Sequence, residues 1–456
     1  ANVKITDWLN IQARGTADYT HDQYQQRMYA STAPALAGQN GRYIDLNHTE
    51  TLYYGDVMAM VNKKWNDFSL NGAIGGSINS TNVNSLRLDS KTASLYYPNV
   101  FTVANIKMTQ AAYIDEQMNQ KRVLQSLFGT AQLGWKESLY LDVTARNDWS
   151  STLAYTKHSS FFYPSVGLSG IISEMVKLPE FISYLKVRGS YTEVGSPVSQ
   201  SGLTPGTVTT PIIGGALAPT GIYPFTDFKA ERTRSYEFGL SVRLWNKLSA
   251  EVTYYKSNTY NQTFIGDLPE FSGYKQIYLQ AGNVQNHGWE ASLGYRDSFG
   301  DFSFSSNLTF SRNVNEIKEM VENYRTDMSP EPINVPEVRK DNGRVILKVG
   351  GSINDIYANT FLKKDSQGYV EIKQDGSYGL EQGEPVFLGK TSPDFNLGWS
   401  NSLSYKGFGL SFLINGRFGG VVTSSTQAIL DRFGVSKASA EARDAGGVLL
   451  PGQGRV

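Results

Sequence analysis

The dominant signal along the chain is alternation of apolar and polar residues with a period of two, the mark of strands with one apolar and one wet face. From Leu139 to Arg146, Leu139, Leu141, Val143 and Ala145 share one face, and Tyr140, Asp142, Thr144 and Arg146 share the other. Tyr236, Phe238, Leu240, Val242 and Leu244 oppose Ser235, Glu237, Gly239, Ser241 and Arg243. After a short turn, Leu248, Ala250, Val252 and Tyr254 oppose Ser249, Glu251, Thr253 and Tyr255. The split recurs at Trp289 to Arg296, Phe302 to Ser311 and Phe408 to Phe418. Ser306 and Asn401 break it on apolar faces, and Leu413 on a polar one. The pattern predicts strands near 4–14, 51–64, 68–79, 121–135, 139–149, 161–172, 185–193, 234–245, 248–263, 284–296, 302–312, 393–405 and 408–418.

Charges within the alternating sets quoted above keep to the polar face. That is the rule for a membrane barrel, where the other face meets lipid and the polar face lines a wet lumen. Connections alternate in length. Trp65 to Asp67, Lys136 to Ser138, Trp245 to Lys247, Asp297 to Asp301 and Lys406-Gly407 are short. About Gly15 to Glu50, Ser80 to Gln120, Val194 to Thr233 and Val314 to Ser392 are long and polar. Short periplasmic turns and long outer loops produce this alternation. The segment Ser173 to Tyr184 is a longer turn in a periplasmic slot. Trp65, Trp135, Trp245, Trp289, Phe302, Trp399, Tyr405 and Phe408 are expected at the short-turn end, as an interfacial aromatic girdle. The first and last strands both run outward, so an inward partner is expected upstream. Thr423 to Val456 reads as an outer segment with short helices, one ending at Gly434.

Composition narrows the choice. Lys+Arg and Asp+Glu balance at 42 each, which argues against a nucleic-acid partner. Without cysteine there is no disulfide frame or thiolate metal site. Mean hydropathy of −0.34 resembles a soluble protein, but a membrane barrel hides its apolar surface in alternate residues. No apolar run reaches the length of a spanning helix, and no signal peptide opens the chain. The expected fold is therefore all-β, a transmembrane antiparallel β-barrel with long extracellular loops, of which these 456 residues hold about 13 strands.

Several stretches, in order along nearly the whole chain, carry a family resemblance. Leu141-Asp142-Val143-Thr144-Ala145-Arg146-Asn147-Asp148-Trp149-Ser150-Ser151-Thr152-Leu153 resembles the signature strand of SusC/RagA-type TonB-dependent transporters of Bacteroidota. Phe162 to Gly167, Leu185 to Tyr191, Asn283 to Glu290, Val349 to Ile353, Gly389 to Phe395 and Arg417 to Gly420 are similar to the same family. The resemblance implies a 22-stranded barrel plugged by an N-terminal domain. It also implies location in the outer membrane among its lipids, a SusD-like surface lipoprotein lid, energy delivered through TonB, and import of oligosaccharides or, less often, peptides. The plug, the TonB-contacting part and the closing strands are expected outside these residues. A passive outer-membrane pore and a secreted β-rich glycan-binding protein or glycosidase remain as alternatives.

No catalytic, cofactor or metal motif stands out. His21, His48, His158 and His287 are widely spaced, and Asp365 to Gly368 is explained by turn chemistry. Asp142, Arg146, Arg188, Glu237, Arg243, Glu251, Glu290 and Arg296 are expected to point into the lumen. There they form either a polar path touching plug or solute, or a charge ladder between strands. Tyr19, Tyr96, Tyr97, Phe101, Tyr223 and Phe225 are candidate loop aromatics for stacking on sugar rings, against packing within ordered loops.

Overall fold

A computed structural model describes residues 1–93, 95–108, 113–154, 156–198, 212–213, 216–217, 220–222, 228–267, 274–280, 282–326, 329–335, 337–340, 344–373 and 378–447. One fourteen-stranded antiparallel sheet dominates it, each strand paired with the next along the chain. The strands are β1 (Asn2–Lys4), β2 (Leu9–Met28), β3 (Arg42–Trp65), β4 (Phe68–Asp89), β5 (Tyr113–Trp135), β6 (Leu139–Ser150) and β7 (Ser160–Ile171). They continue as β8 (Ile182–Ser196), β9 (Glu231–Leu244), β10 (Leu248–Tyr260), β11 (Asn283–Phe299), β12 (Phe302–Glu319), β13 (Phe395–Tyr405) and β14 (Phe408–Phe418). No described helix is long and apolar enough to cross a membrane. Two short helices, Ser425–Arg432 and Lys437–Asp444, follow β14, the first ending at Gly434 with φ +67°.

The sheet departs from the sequence expectation in two ways. The expected first strand is a hairpin: β1 turns through Ile5 to Trp8 into β2, pairing Asn2 with Gln12. β1 thus supplies three residues of the inward partner expected for the first strand, and the count is fourteen instead of about 13. The turn is locked by the Thr6 hydroxyl, which accepts from the Leu9 N–H at 3.0 Å. Secondly, the outer loop expected at Gly15 to Glu50 is mostly strand, and the one expected at Ser80 to Gln120 is strand at both its ends. β2 and β3 stay paired out to Met28 and Arg42, and β4 and β5 out to Asp89 and Tyr113. A membrane strand needs about 9–11 residues. Beyond that height neither face has to meet lipid, so the ladder continues while the alternation that reveals it disappears.

The short turns require left-handed backbone. Lys406 and Gly407 both have positive φ (44° and 87°), a two-residue hairpin closing Tyr405 on Phe408. Lys136 and Glu137, and Trp245 and Asn246, do the same in three-residue connections. Trp65 stacks on Phe68 and Phe181 packs on Trp245 at this end, ring centroids 6.3 and 6.0 Å apart. Two aromatics expected there lie elsewhere. β11 runs on to Phe299, so Trp289 sits near the opposite edge, paired with Arg312. Trp399 is within β13, its indole N–H donating to Ser306 at 2.9 Å. That contact gives a partner to one of the polar residues stranded on the apolar face.

At the other end, three small apolar clusters tie the loops down. Tyr43, Leu88, Leu95 and Ile106 hold the connection between β4 and β5. Leu153, Phe161, Val198 and Phe228 join the tops of β7, β8 and β9. Val284, Ile317, Met320, Val338 and Leu347 fasten the long connection after β12. Within that connection Asp355–Leu362 and Leu380–Lys390 form a hairpin of their own.

Candidate functional site

Strand register places side chains from distant parts of the chain side by side on the polar face. One row runs Asn62, Asn71, Gln132, Asp142, Gly167, Ser190, Glu237, Tyr255, Gly288 and Asn313. The next row, nearer the short turns, runs Ser169, Arg188, Gly239, Thr253, Glu290, Ser311, Asn396 and Arg417. Alternate residues on each strand point to one face, so these rows share a single polar surface.

A cavity of about 550 Å³ lies over the second row, lined by Arg188, Glu251, Thr253, Glu290, Ser311, Asn396, Asn415 and Arg417 among others. Arg188 is its pivot. Its guanidinium lies 3.2 Å from Glu237 and 3.4 Å from Glu251, and donates to the Thr253 hydroxyl at 2.8 Å. The side chain crosses Gly239, where any Cβ would collide with the guanidinium Nε. Gly239 therefore lets an arginine from β8 reach a glutamate on β10. Glu237 and Glu251 keep 44% and 46% of their side-chain surface in solvent, and Glu290 is exposed. The pocket thus offers carboxylates and guanidiniums that are only partly satisfied by one another. Such groups bind a polar or charged solute at small desolvation cost.

Arg146 belongs to a different arrangement. It donates to Asp148 and to Ser126, each at 2.7 Å, and lies over the Phe128 ring. Tyr163 donates to the second oxygen of Asp148 at 2.7 Å, and that carboxylate is 4% exposed. Phe128 fills the space above Gly75, where a Cβ would come within 2.9 Å of the ring. Nearby Arg14 pairs with the buried Asp56 through Nε at 3.1 Å. Asp142 accepts from Gln132 at 2.8 Å. Arg243 lies over the Tyr184 ring, and Arg296 is exposed near the short turns. The eight candidate charges therefore divide: four (Arg188, Glu237, Glu251, Glu290) converge, and the others do not join them. Thr253, Asn396 and Arg417 complete the cavity and were missed individually. Their signal was membership of the polar face, but the rows needed register.

The loop aromatics also divide. Tyr19 and Tyr97 are each 70% exposed. Tyr96 has Lys107 over its ring at 5.5 Å. Phe101 packs edge-on against Tyr29 at 5.2 Å and beside Tyr43, which is the packing within an ordered loop set against stacking above. Tyr223 and Phe225 lie outside the described residues. Above the membrane level, Asp89 is pulled both ways. Burial pushes its pKa up, but hydrogen bonds from Arg42, the Lys91 backbone N–H and Arg87 more than offset this, leaving it lowered. No group of three or more metal-ligating side chains occurs among the described residues.

Comparison with known proteins agrees with this geometry. The RagAB peptide transporter has a similar structure, with a TM-score of 0.70 at 18% sequence identity, covering 91% of this chain and 46% of that chain. Its "open-open" state superimposes with a TM-score of 0.69. TonB-dependent receptor P3 of Formosa agariphila is 25% identical over 349 residues, covering 70% of this chain and 34% of that protein. TonB-dependent receptor P26 of the same organism is 27% identical over 327 residues, covering 66% of this chain and 32% of that protein. The chain thus spans about a third of the length of these curated relatives. In an outer-membrane barrel an apolar sheet face is turned to lipid and a polar face to the lumen. Residues 4–380 match the family described as TonB dependent receptor-like, beta-barrel, and the chain belongs to that family.

Proposed function

We propose that this wall belongs to an active importer that takes up an oligosaccharide, with a peptide as the second reading, using energy delivered through TonB. The observation that carries it is the lumenal pocket around Arg188. Its charges are half-exposed and of both signs, so they suit transient contacts with a polar solute passing along the wall. The peptide reading draws on that mixture of signs, since a peptide brings an ammonium and a carboxylate together. The likeness to the RagAB peptide transporter favours it further. For a sugar, the exposed ring of Tyr97 supplies an apolar stacking face at the outer loops. The hairpin Asp355–Leu362 with Leu380–Lys390 exposes Leu380, Val386 and Phe387 (62%, 51% and 56%), a surface suited to a SusD-like lipoprotein lid. A plug contributed by another part of the full-length protein would keep so wide a lumen from leaking.

The test is uptake by cells carrying the full-length gene, with and without TonB. Uptake should collapse when TonB is removed, and Arg188→Gln should reduce it while TonB is present. Import that continues unchanged without TonB would replace this reading with a passive pore. Hydrolysis of the solute by the purified protein would replace it with an enzyme.

A further inference from the structure

The pairing of β7 with β8 stops at Ser165 and Thr192. β6 nevertheless follows β7 up to Ser160, and β9 follows β8 up to Ser196. The backbone ladder between β7 and β8 therefore ends near the outer edge, where the Phe161 ring packs against Gly195. A cleft of about 450 Å³ lies there, with His158, Phe161, Phe162, Lys229, Arg232 and Arg234 among its lining residues.

One carboxylate organises the cleft. Glu193, 9% exposed, accepts from Arg234 Nε at 2.7 Å and lies 3.4 Å from Arg232. Its Oε1 also accepts from the Tyr191 hydroxyl at 2.6 Å. Arg232 donates to the Phe162 carbonyl at 3.1 Å. The Arg234 guanidinium rests on the Tyr260 ring, 5.3 Å from its centroid. Three cationic side chains thus line a cleft whose guanidiniums are held by one acid.

The position of these cations matters. On β9, Arg232 and Arg234 continue the face that carries the exposed Tyr236 and Phe238. Two residues along a strand are roughly 7 Å. The cations therefore begin one step beyond the aromatic edge, where hydrocarbon gives way to headgroups. Exposed Lys256, paired with Tyr236, and exposed Arg312, paired with Trp289, extend the same band. On β3 and β4 the equivalent step beyond Tyr53 and Ile78 brings Thr51 and Ser80, which are neutral.

We propose that the cleft binds the phosphate of an anionic lipid headgroup in the outer leaflet, with Arg232 and Arg234 as its direct contacts. Phe162, 52% exposed on the apolar face, would lie against the upper part of the lipid. The site depends on the membrane placement of the wall, and it is independent of which solute is imported.

The experiment uses the full-length receptor purified in detergent and exposed to phosphatidic acid, phosphatidylcholine or inorganic phosphate, with bound lipid counted by native mass spectrometry. Phosphatidic acid should be retained in preference to phosphatidylcholine. Arg232→Gln with Arg234→Gln should lower phosphatidic acid retention on the order of tenfold and leave phosphatidylcholine unchanged. That variant leaves Glu193 unpaired, so two others guard against misfolding. Arg232→Lys with Arg234→Lys should keep the lipid, and Glu193→Gln should bind it more tightly. Four outcomes would overturn the proposal. They are unchanged phosphatidic acid retention in the double Gln variant, equal loss of both lipids, full displacement by inorganic phosphate, and loss of a co-purifying lipoprotein with lipid retention intact.

Discussion

Two charged clusters share the polar face of the sheet and use the same residue types to opposite ends. Around Arg146, the carboxylates are closed off: Asp148 is 4% exposed and Asp56 is fully buried on the side-chain scale. Each oxygen of Asp148 has its own donor, Arg146 or Tyr163. Around Arg188, one guanidinium is shared between two glutamates that stay nearly half in solvent. The first cluster is a strap between β5, β6 and β7. The second is a surface with capacity left over. Charge on a lumen wall therefore says little by itself; what separates fastening from binding is how completely each acid is satisfied and how far water reaches it.

The comparison can be broken at several points. The largest effect tests the face that both clusters share. Val143→Arg places a charge toward lipid and should cost about 2–4 kcal/mol of folding free energy in vesicles. Thr144→Arg, on the lumenal face, should leave folding nearly intact. Equal costs would mean that the two faces had been assigned wrongly. Next, Asp148→Ala strips Arg146 of its counter-charge and Tyr163 of its acceptor, and should cost about 2 kcal/mol in urea unfolding.

Glu251→Gln should change stability by less than about 1 kcal/mol, because the pair it weakens is solvent-screened. It should instead lower solute affinity severalfold in the full-length protein. A stability loss matching that of Asp148→Ala would erase the distinction between the clusters. The smallest effect is a pH dependence above the membrane. Asp89 is lowered from its ordinary 3.8, so its contribution is present above the ordinary carboxylate range and is lost as pH falls through the folded value. Asp89→Asn should therefore lie below wild type in stability at neutral pH and converge with it in acid. A gap that stays constant down to the acid limit would show that Asp89 acts through shape alone.

Much of this architecture was legible in the residues. Thirteen runs anticipated thirteen of the fourteen strands, because lipid demands an apolar residue at every second position and nothing else in the chain alternates so strictly. The same logic explains the failures. Thr16 to Met28 and Arg42 to Glu50 form a ladder beyond the reach of lipid, so no alternating pattern marked them as strand. The hairpin at Thr6 and Asp7 was hidden inside a run read as continuous. Phe101 was named for its chemistry, yet only the folded loop shows that Tyr29 and Tyr43 already occupy its ring.

The sequence alone determined the fold class, the lipid face and the short-turn end, since each follows from local chemistry repeated along the chain. Only the tertiary structure decided which charges meet. Arg188 and Glu251 are separated by a whole strand and one glycine, and their contact depends on register across β8, β9 and β10. Likewise, the cleft between β7 and β8 arises from where a ladder ends, and hydrogen-bond pairing between strands is a property no single run of residues carries.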